Sequence, residues 1–230
     1  MDQKEIKKEL RFLSIDMLIV LVVFVAALFI SLSIVQNIVW QEKKQFDTSV
    51  FEYVGQYVSD TMTSVMNFFT FFGGQFFLVP VYLIMIAYFL FFKKNRWLGL
   101  KISAVSVSSL LIMFSLKQIF GRARPLTPLL REVNGLSFPS GHAFMSFSLC
   151  GILIYIVYKA DFLGWQKYLL YAFLLTFTFF VGLSRVYLRV HYASDVVAGF
   201  CMGILWVTIS LFIMGRLEKR QALKMEAPIS

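Results

Sequence analysis

Residues 17–39 read MLIVLVVFVAALFISLSIVQNIV, an apolar run without one charged side chain. A helix needs about 20 such residues to cross the roughly 30 Å hydrocarbon core of a bilayer. Backbone groups inside that core find no water, so the run must close its own hydrogen bonds as a helix. Five more stretches downstream have the same character, at 68–92, 98–116, 142–158, 168–186 and 194–214. The whole chain of 230 residues is 59% hydrophobic and 15% charged, which excludes an ordinary soluble domain. Six spans leave little chain for anything else, so residues 1–230 are read as a single all-α integral membrane bundle of six transmembrane helices. The first span follows Lys4, Lys7, Lys8 and Arg11 and lacks a small-residue cleavage site, and is expected to be retained rather than removed as a signal peptide.

The formal charge of +9 suggests a polyanion partner until its distribution is followed. Counting connections alternately puts Lys4, Lys7, Lys8, Arg11, Lys93, Lys94, Arg96, Lys101, Lys159, Lys167, Arg216, Lys219, Arg220 and Lys224 on one side. That excess places both termini in the cytoplasm of a multi-pass cell-membrane protein and argues against nucleic acid as a partner. No obligate protein partner is evident. The opposite side holds Lys43, Lys44, Lys117, Arg122, Arg124, Arg131, Arg185 and Arg189, most of them in two connections. Cys150 and Cys201 both fall inside spans and are read as packing residues. In the first outer connection, 41–67, Phe46, Val50, Tyr53, Val54, Tyr57 and Val58 recur at helical spacing opposite Asp47, Glu52 and Gln56. This pattern predicts an interfacial helix, lying on the outer leaflet or packed over the mouth of the bundle.

Three segments carry the unusual residues: KQIFGRARP at 117–125, PSGH at 139–142 and SRVYLRVHYASD at 184–195. The span count puts all three on the outer side, and the chain's two histidines, His142 and His191, are both among them. Charged groups beside spans usually face a bundle interior or an aqueous cavity. Lys117, Arg124 and Arg185 together suit a multiply charged oxyanion such as phosphate. Ser140 stands where a helix N-cap is expected, and Gly141 lets backbone come close, so the fourth span would point free N–H groups at that anion. If the sixth span starts near Tyr192, Asp195 falls one turn from His191, where it would fix the imidazole tautomer. Two imidazoles facing an oxyanion cradle are the equipment of phosphoryl transfer through a phosphohistidine, one attacking and one protonating the leaving oxygen. The residues alone do not say which does which. No metal or other cofactor is expected, because the surrounding cations would repel a metal ion. Taken singly, each cation could be an interface anchor and each small polar residue a helix cap; their convergence on one face is what counts.

Read as K-x6-RP, PSGH and SR-x5-H-x3-D, the segments resemble the signature of the type-2 phosphatidic acid phosphatase family, in its membrane lipid-phosphate phosphatase form. Lys117, Arg124, Pro125, Pro139, Ser140, Gly141, His142, Ser184, Arg185, His191 and Asp195 match every fixed position, over a core of about residues 100–210. The resemblance implies His191 as nucleophile, Asp195 as its orienting partner, and His142 as general acid and then base. It implies phosphate binding by Lys117, Arg124, Ser140, Gly141 and Arg185, with no metal. The implied activity is hydrolysis of a lipid phosphate or pyrophosphate, such as phosphatidylglycerophosphate, undecaprenyl pyrophosphate or phosphatidate, at the outer membrane face. Transfer of phosphate to another lipid would use the same residues. A transporter would carry polar residues at mid-span, which these spans lack, and the related oxyanion cradle of vanadium haloperoxidases belongs to soluble proteins. Arg122, Arg131, Glu132 and Arg189 lie outside the pattern and are read either as substrate-selecting contacts or as solvated loop charges.

Overall fold

A computed structural model describes residues 3–41, 43–126, 128–129 and 135–226. These form helices α1 (Gln3–Ile34), α2 (Gln45–Gly55), α3 (Asp60–Phe72), α4 (Gln75–Ala87), α5 (Arg96–Phe120), α6 (Gly141–Lys159), α7 (Gly164–Tyr187) and α8 (Ala193–Glu226). Short π-helical segments, Val35–Trp40 and Tyr88–Phe92, extend α1 and α4. Among the described residues six stretches are long and apolar enough to cross a membrane: Met17–Trp40, Asp60–Phe92, Arg96–Phe120, Gly141–Lys159, Gly164–Tyr187 and Ala193–Leu223. The all-helical, six-span expectation holds. Large apolar side chains such as Met17, Phe29 and Phe76 are 73%, 71% and 82% exposed, an arrangement suited to lipid and not to water.

The second span differs from its expected limits of 68–92. It begins at Asp60, capped by the Ser59 side chain, which accepts from the Met62 amide at 3.3 Å. Asp60, Thr61, Thr63, Ser64 and Asn67 lower the local hydropathy enough to hide this first half, although it is helical. Gly73 and Gly74 then break the span into α3 and α4. A Cβ on Gly73 would lie 2.6 Å from Val181 Cγ1 and 2.8 Å from His142 Cδ2, so a glycine is what lets this corner close onto the histidine.

α6 and α8 form the tightest pair. Gly199 and Gly203, four residues apart on α8, present bare backbone to α6. A Cβ on Gly199 would stand 2.8 Å from the Ser140 carbonyl oxygen and 3.0 Å from Ala143 Cβ. On Gly203 it would stand 3.1 Å from Phe147 Cβ, while Gly151 of α6 accommodates Val207 in the same way. The start of α6 is thereby pressed against the start of α8. Ile102, Val105, Phe144, Leu149 and Ile152 fill the core where α5 joins them. At the other end, buried Lys101 donates to Glu218 at 2.6 Å and to Tyr155 Oη at 2.8 Å, tying α5 to α8 and α6. Cys150 and Cys201 are free and buried, as packing residues should be.

The short helix expected in the first outer connection is present as α2, packed on α7 and α8. Its orientation corrects the sequence reading. Asp47, assigned to the polar outward face, is 1% exposed and points inward, while Phe46 and Tyr53 of the apolar stripe face outward. Val50 and Val54 do pack inward. A single carboxylate with enough buried donors overrides the apolar periodicity.

Gly199→Val should lower the thermal midpoint in detergent by about 2–12 °C, as overpacking of roughly 1–3 kcal/mol does in a chain of this size. Gly215→Ala, where a Cβ meets nothing within 4 Å, should leave it unchanged or slightly raised. Equal melting of both variants would contradict the close-approach account.

Candidate active site

The conspicuous residues converge at one end of the bundle because four helix ends, those of α5, α6, α7 and α8, fall there. α5 ends one turn after Lys117 at Gly121, whose left-handed φ of 59° and amide bond to the Lys117 carbonyl form a glycine C-cap. Arg122 and Arg124 follow in the connection. α6 starts at Gly141 with Ser140 as N-cap, as expected, although the cap bond to the Ala143 amide is long at 3.5 Å. α7 delivers Arg185 in its last turn, and a tight reversal through Arg189, at a φ of 52°, brings back His191. α8 begins two residues later, with Asp195 in its first turn. Asp195 accepts from the Tyr192 amide at 2.9 Å, half of a capping box, and its carbonyl accepts from the Ser140 amide at 3.0 Å.

His191 is 1% exposed, and its two ring nitrogens face different partners. Arg124 Nη1 lies 3.2 Å from Nε2. A guanidinium only donates, so Nε2 must carry the lone pair and Nδ1 the proton. Nδ1 points at Ser137 Oγ, 3.4 Å away, and at Asp195 Oδ2, 3.6 Å away. Ser137 in turn donates to Asp195 Oδ2 at 2.5 Å, so the hydroxyl relays between ring and carboxylate. Burial, opposed by Asp195 and reinforced by Arg124 and Arg185, pushes the His191 pKa down to about 4. The ring is therefore neutral near pH 7, with the lone pair of Nε2 turned toward the cations.

Among the described residues three cations of the site, Lys117, Arg124 and Arg185, lack a carboxylate of their own. Lys117 Nζ donates to the Leu136 carbonyl at 2.7 Å. Arg124 donates through Nε to the Gly135 carbonyl at 3.0 Å and through Nη1 to the Val190 carbonyl at 2.7 Å. Arg185, 4% exposed, donates to Thr70 Oγ1 of α3 at 2.6 Å, and its Nε is buried with no partner among the described residues. The amides of Gly141 and His142, first of α6, have no acceptor among the described residues. Gathering these donors without a counter-charge is costly unless an anion completes them. The half-buried His142 ring makes no hydrogen bond to a described residue, and Arg185, His191, Arg124 and Lys117 are all near enough to act on it electrostatically.

All eight expected residues, Lys117, Arg124, Ser140, Gly141, His142, Arg185, His191 and Asp195, thus share one site. Thr70 and Ser137 join them and carried no sequence signal, one lying in an apolar run and the other just ahead of PSGH. Arg122 corrects the sequence reading, being neither a solvated charge nor free to touch a ligand. Its Nη1 donates to Asp195 Oδ1 at 2.6 Å and to Ser194 Oγ at 2.8 Å, its Nη2 donates to Asp47 Oδ2 at 2.7 Å, and its guanidinium lies 4.1 Å from the Tyr192 ring centre. Burial works against its charge, but Asp195 and Asp47 outweigh that and hold its pKa above the usual value. Arg189 lies against Gly55 of α2. Arg131 and Glu132 fall outside the described residues. Among the described residues no group of three or more His, Cys, Asp or Glu side chains is arranged to hold a metal.

The chain has relatives with this architecture. It is 34% identical over 146 residues to phosphatidylglycerophosphatase B of Bacillus subtilis, covering 63% of this chain and 71% of that one. It is 26% identical over 201 residues to undecaprenyl-diphosphatase of Sulfolobus acidocaldarius, covering 84% and 91%. The crystal structure of a transmembrane PAP2 type phosphatidylglycerolphosphate phosphatase from Bacillus subtilis superposes with a TM-score of 0.71 at 28% identity, over 86% of this chain and 96% of that one. The profile of the PAP2 superfamily matches residues 98–219. That stretch runs from the helix that carries Lys117 to the one that Asp195 opens, so the family resemblance of the three motifs is confirmed and the chain belongs to the PAP2 superfamily.

Proposed function

We propose that this chain is a membrane phosphatase that hydrolyses the phosphate or pyrophosphate of a lipid at the outer membrane face, through a phosphohistidine on His191. One observation carries the reading: Arg124 stands at the unprotonated Nε2 of His191, Lys117 and Arg185 lie close enough to Arg124 and His142 to act on them, and among the described residues none of the three cations has a carboxylate of its own and Arg185 Nε is an orphaned buried donor. A phosphoryl group seated there would meet three cations and the first amides of α6.

The chemistry follows from the donors. His191 Nε2 attacks phosphorus, the P–N bond forms, the P–O bond to the lipid breaks, and His142 gives its proton to the departing oxygen. The positive charge that the ring acquires stays on it and is stabilised by Asp195, directly and through Ser137, at Nδ1–H. His142, now neutral, removes a proton from water. The hydroxide attacks phosphorus, the P–N bond breaks, and phosphate leaves with His191 restored. Lys117, Arg124 and Arg185 hold the equatorial oxygens throughout. Relatives that act on phosphatidylglycerophosphate and on undecaprenyl diphosphate support a lipid substrate. The concentration of Lys and Arg on the opposite connections supports cytoplasmic termini and an outward-facing site.

Purified protein should release phosphate from such lipids in excess chelator, and abolition that a divalent ion reverses would refute the metal-free cradle. His191→Ala should remove turnover on every substrate. His142→Ala should slow lipid phosphate hydrolysis about a hundredfold or more. On p-nitrophenyl phosphate, whose phenolate leaves unaided, it should give a stoichiometric burst with a trapped phosphoprotein. Equal losses on both substrates without a burst, or a phosphoprotein in His191→Ala, would reverse the roles. Leu126, 96% exposed beside the site, should react as Leu126→Cys with an impermeant reagent on intact cells, and Leu163→Cys, in the connection at the other end, only after permeabilisation. The opposite labelling would invert the topology.

A further inference from the structure

Asp47 belongs to none of the three motifs and lies outside the matched residues 98–219, yet it is among the most deeply buried charged groups in the protein. It reaches the site from α2, across the chain. Its Oδ1 accepts from the Ser194 amide at 2.9 Å, its Oδ2 accepts from Ser194 Oγ at 2.8 Å, and Oδ2 also takes Arg122 Nη2 at 2.7 Å. It therefore caps the start of α8 from another helix, one residue before Asp195, and shares a single guanidinium with it.

We propose that Asp47 and Arg122 are positioning residues of the transfer reaction, forming with Asp195 a buried three-charge cluster whose net single negative charge stands behind His191. This inference rests on His191 being the attacking group. The reasoning is charge arithmetic: Asp47 and Asp195 contribute two negative charges and Arg122 one positive, leaving one negative. Arg122 alone would cancel Asp195, and the Nδ1–H of His191 would face a neutral pair that does little to stabilise the ring once phosphorus is attached. Arg122 is nevertheless needed, because it pins Asp195 Oδ1 so that Oδ2 remains for Ser137 and the ring. Asp47 satisfies Arg122 without releasing it. Among the described residues the other charged groups facing His191 are Arg124 from the α5–α6 connection and Arg185 from α7, with His142 of α6 and Lys117 of α5 beyond them, and the Arg122 and Asp47 substitutions below alter none of these.

The chain has only two histidines, so labelled-histidine NMR of the whole protein in micelles, assigned with His142→Gln, reads the His191 ring without substrate. Arg122→Gln should raise its titration midpoint by about one pH unit, as a unit charge within roughly 10 Å does at an effective dielectric near 20. Adding Asp47→Asn to Arg122→Gln should return the midpoint toward that of the unaltered protein. A purely architectural role predicts no such cancellation. Asp47→Asn alone should slow phosphoprotein formation in a single turnover about tenfold, and Asp47→Glu should restore most of it. Midpoints that move together or not at all, or equal rates for the Asn and Glu variants, would overturn the proposal. If Arg122→Gln does not fold, the Asn and Glu pair decides alone. Phosphate mapped to a residue other than His191 would defeat the nucleophile assignment instead, whatever the titration shows.

Discussion

Like charges gathered out of water repel one another and forfeit hydration, and a protein that holds Lys117, Arg124 and Arg185 around one point has to brace them from several directions. The bracing is visible at each cation. Lys117 is returned to a carbonyl of the next connection, Arg124 is strung between two carbonyls on different connections, and Arg185 is held by Thr70 from α3. None of these partners bears a charge. Among the described residues the carboxylates near the site, Asp195 and Asp47, are committed to Arg122. The cations are thus oriented without being neutralised, which requires a scaffold that cannot relax. The close approach of α6 to α8 at Gly199 and Gly203 supplies that rigidity by leaving no side chain between the helices where the site begins.

The membrane spans and the site were legible in the sequence for different reasons. Spans are read from the absence of charge over about 20 residues, a signal that survives any detail of packing. The cradle was readable because cations and histidines at span ends are rare enough to be noticed, and because Gly141 and Ser140 have backbone reasons to stand at a helix start. The rest depended on contacts between distant segments. Thr70 is a small polar residue in a run of phenylalanines, and only the Gly73–Gly74 corner aims it at Arg185. Asp47 was placed on the wrong face because helical periodicity ranks residues by hydrophobicity, whereas Ser194 and Arg122, buried from other parts of the chain, decide where a carboxylate goes. The first half of the second span was missed for a related reason: its polar residues serve the site end, where Tyr187 Oη accepts from the Ser59 amide and pairs with Thr63 Oγ1.

The connection between α5 and α6 offers the carbonyls of Gly135 and Leu136 to Arg124 and Lys117. Under the proposed function, an oxyanion arriving there would meet donors that are already partly engaged. It would exchange places with those carbonyl oxygens, and on its departure the carbonyls would take the donors back. The favourable difference between the two states is much smaller than the strength of either. Among the described residues Arg185 Nε and the first amides of α6 would gain a partner outright. A cradle whose donors already hold interchangeable acceptors would, under the proposed function, grip its ligand moderately and release it readily, which would keep free phosphate from clogging a site whose surroundings are otherwise strongly positive.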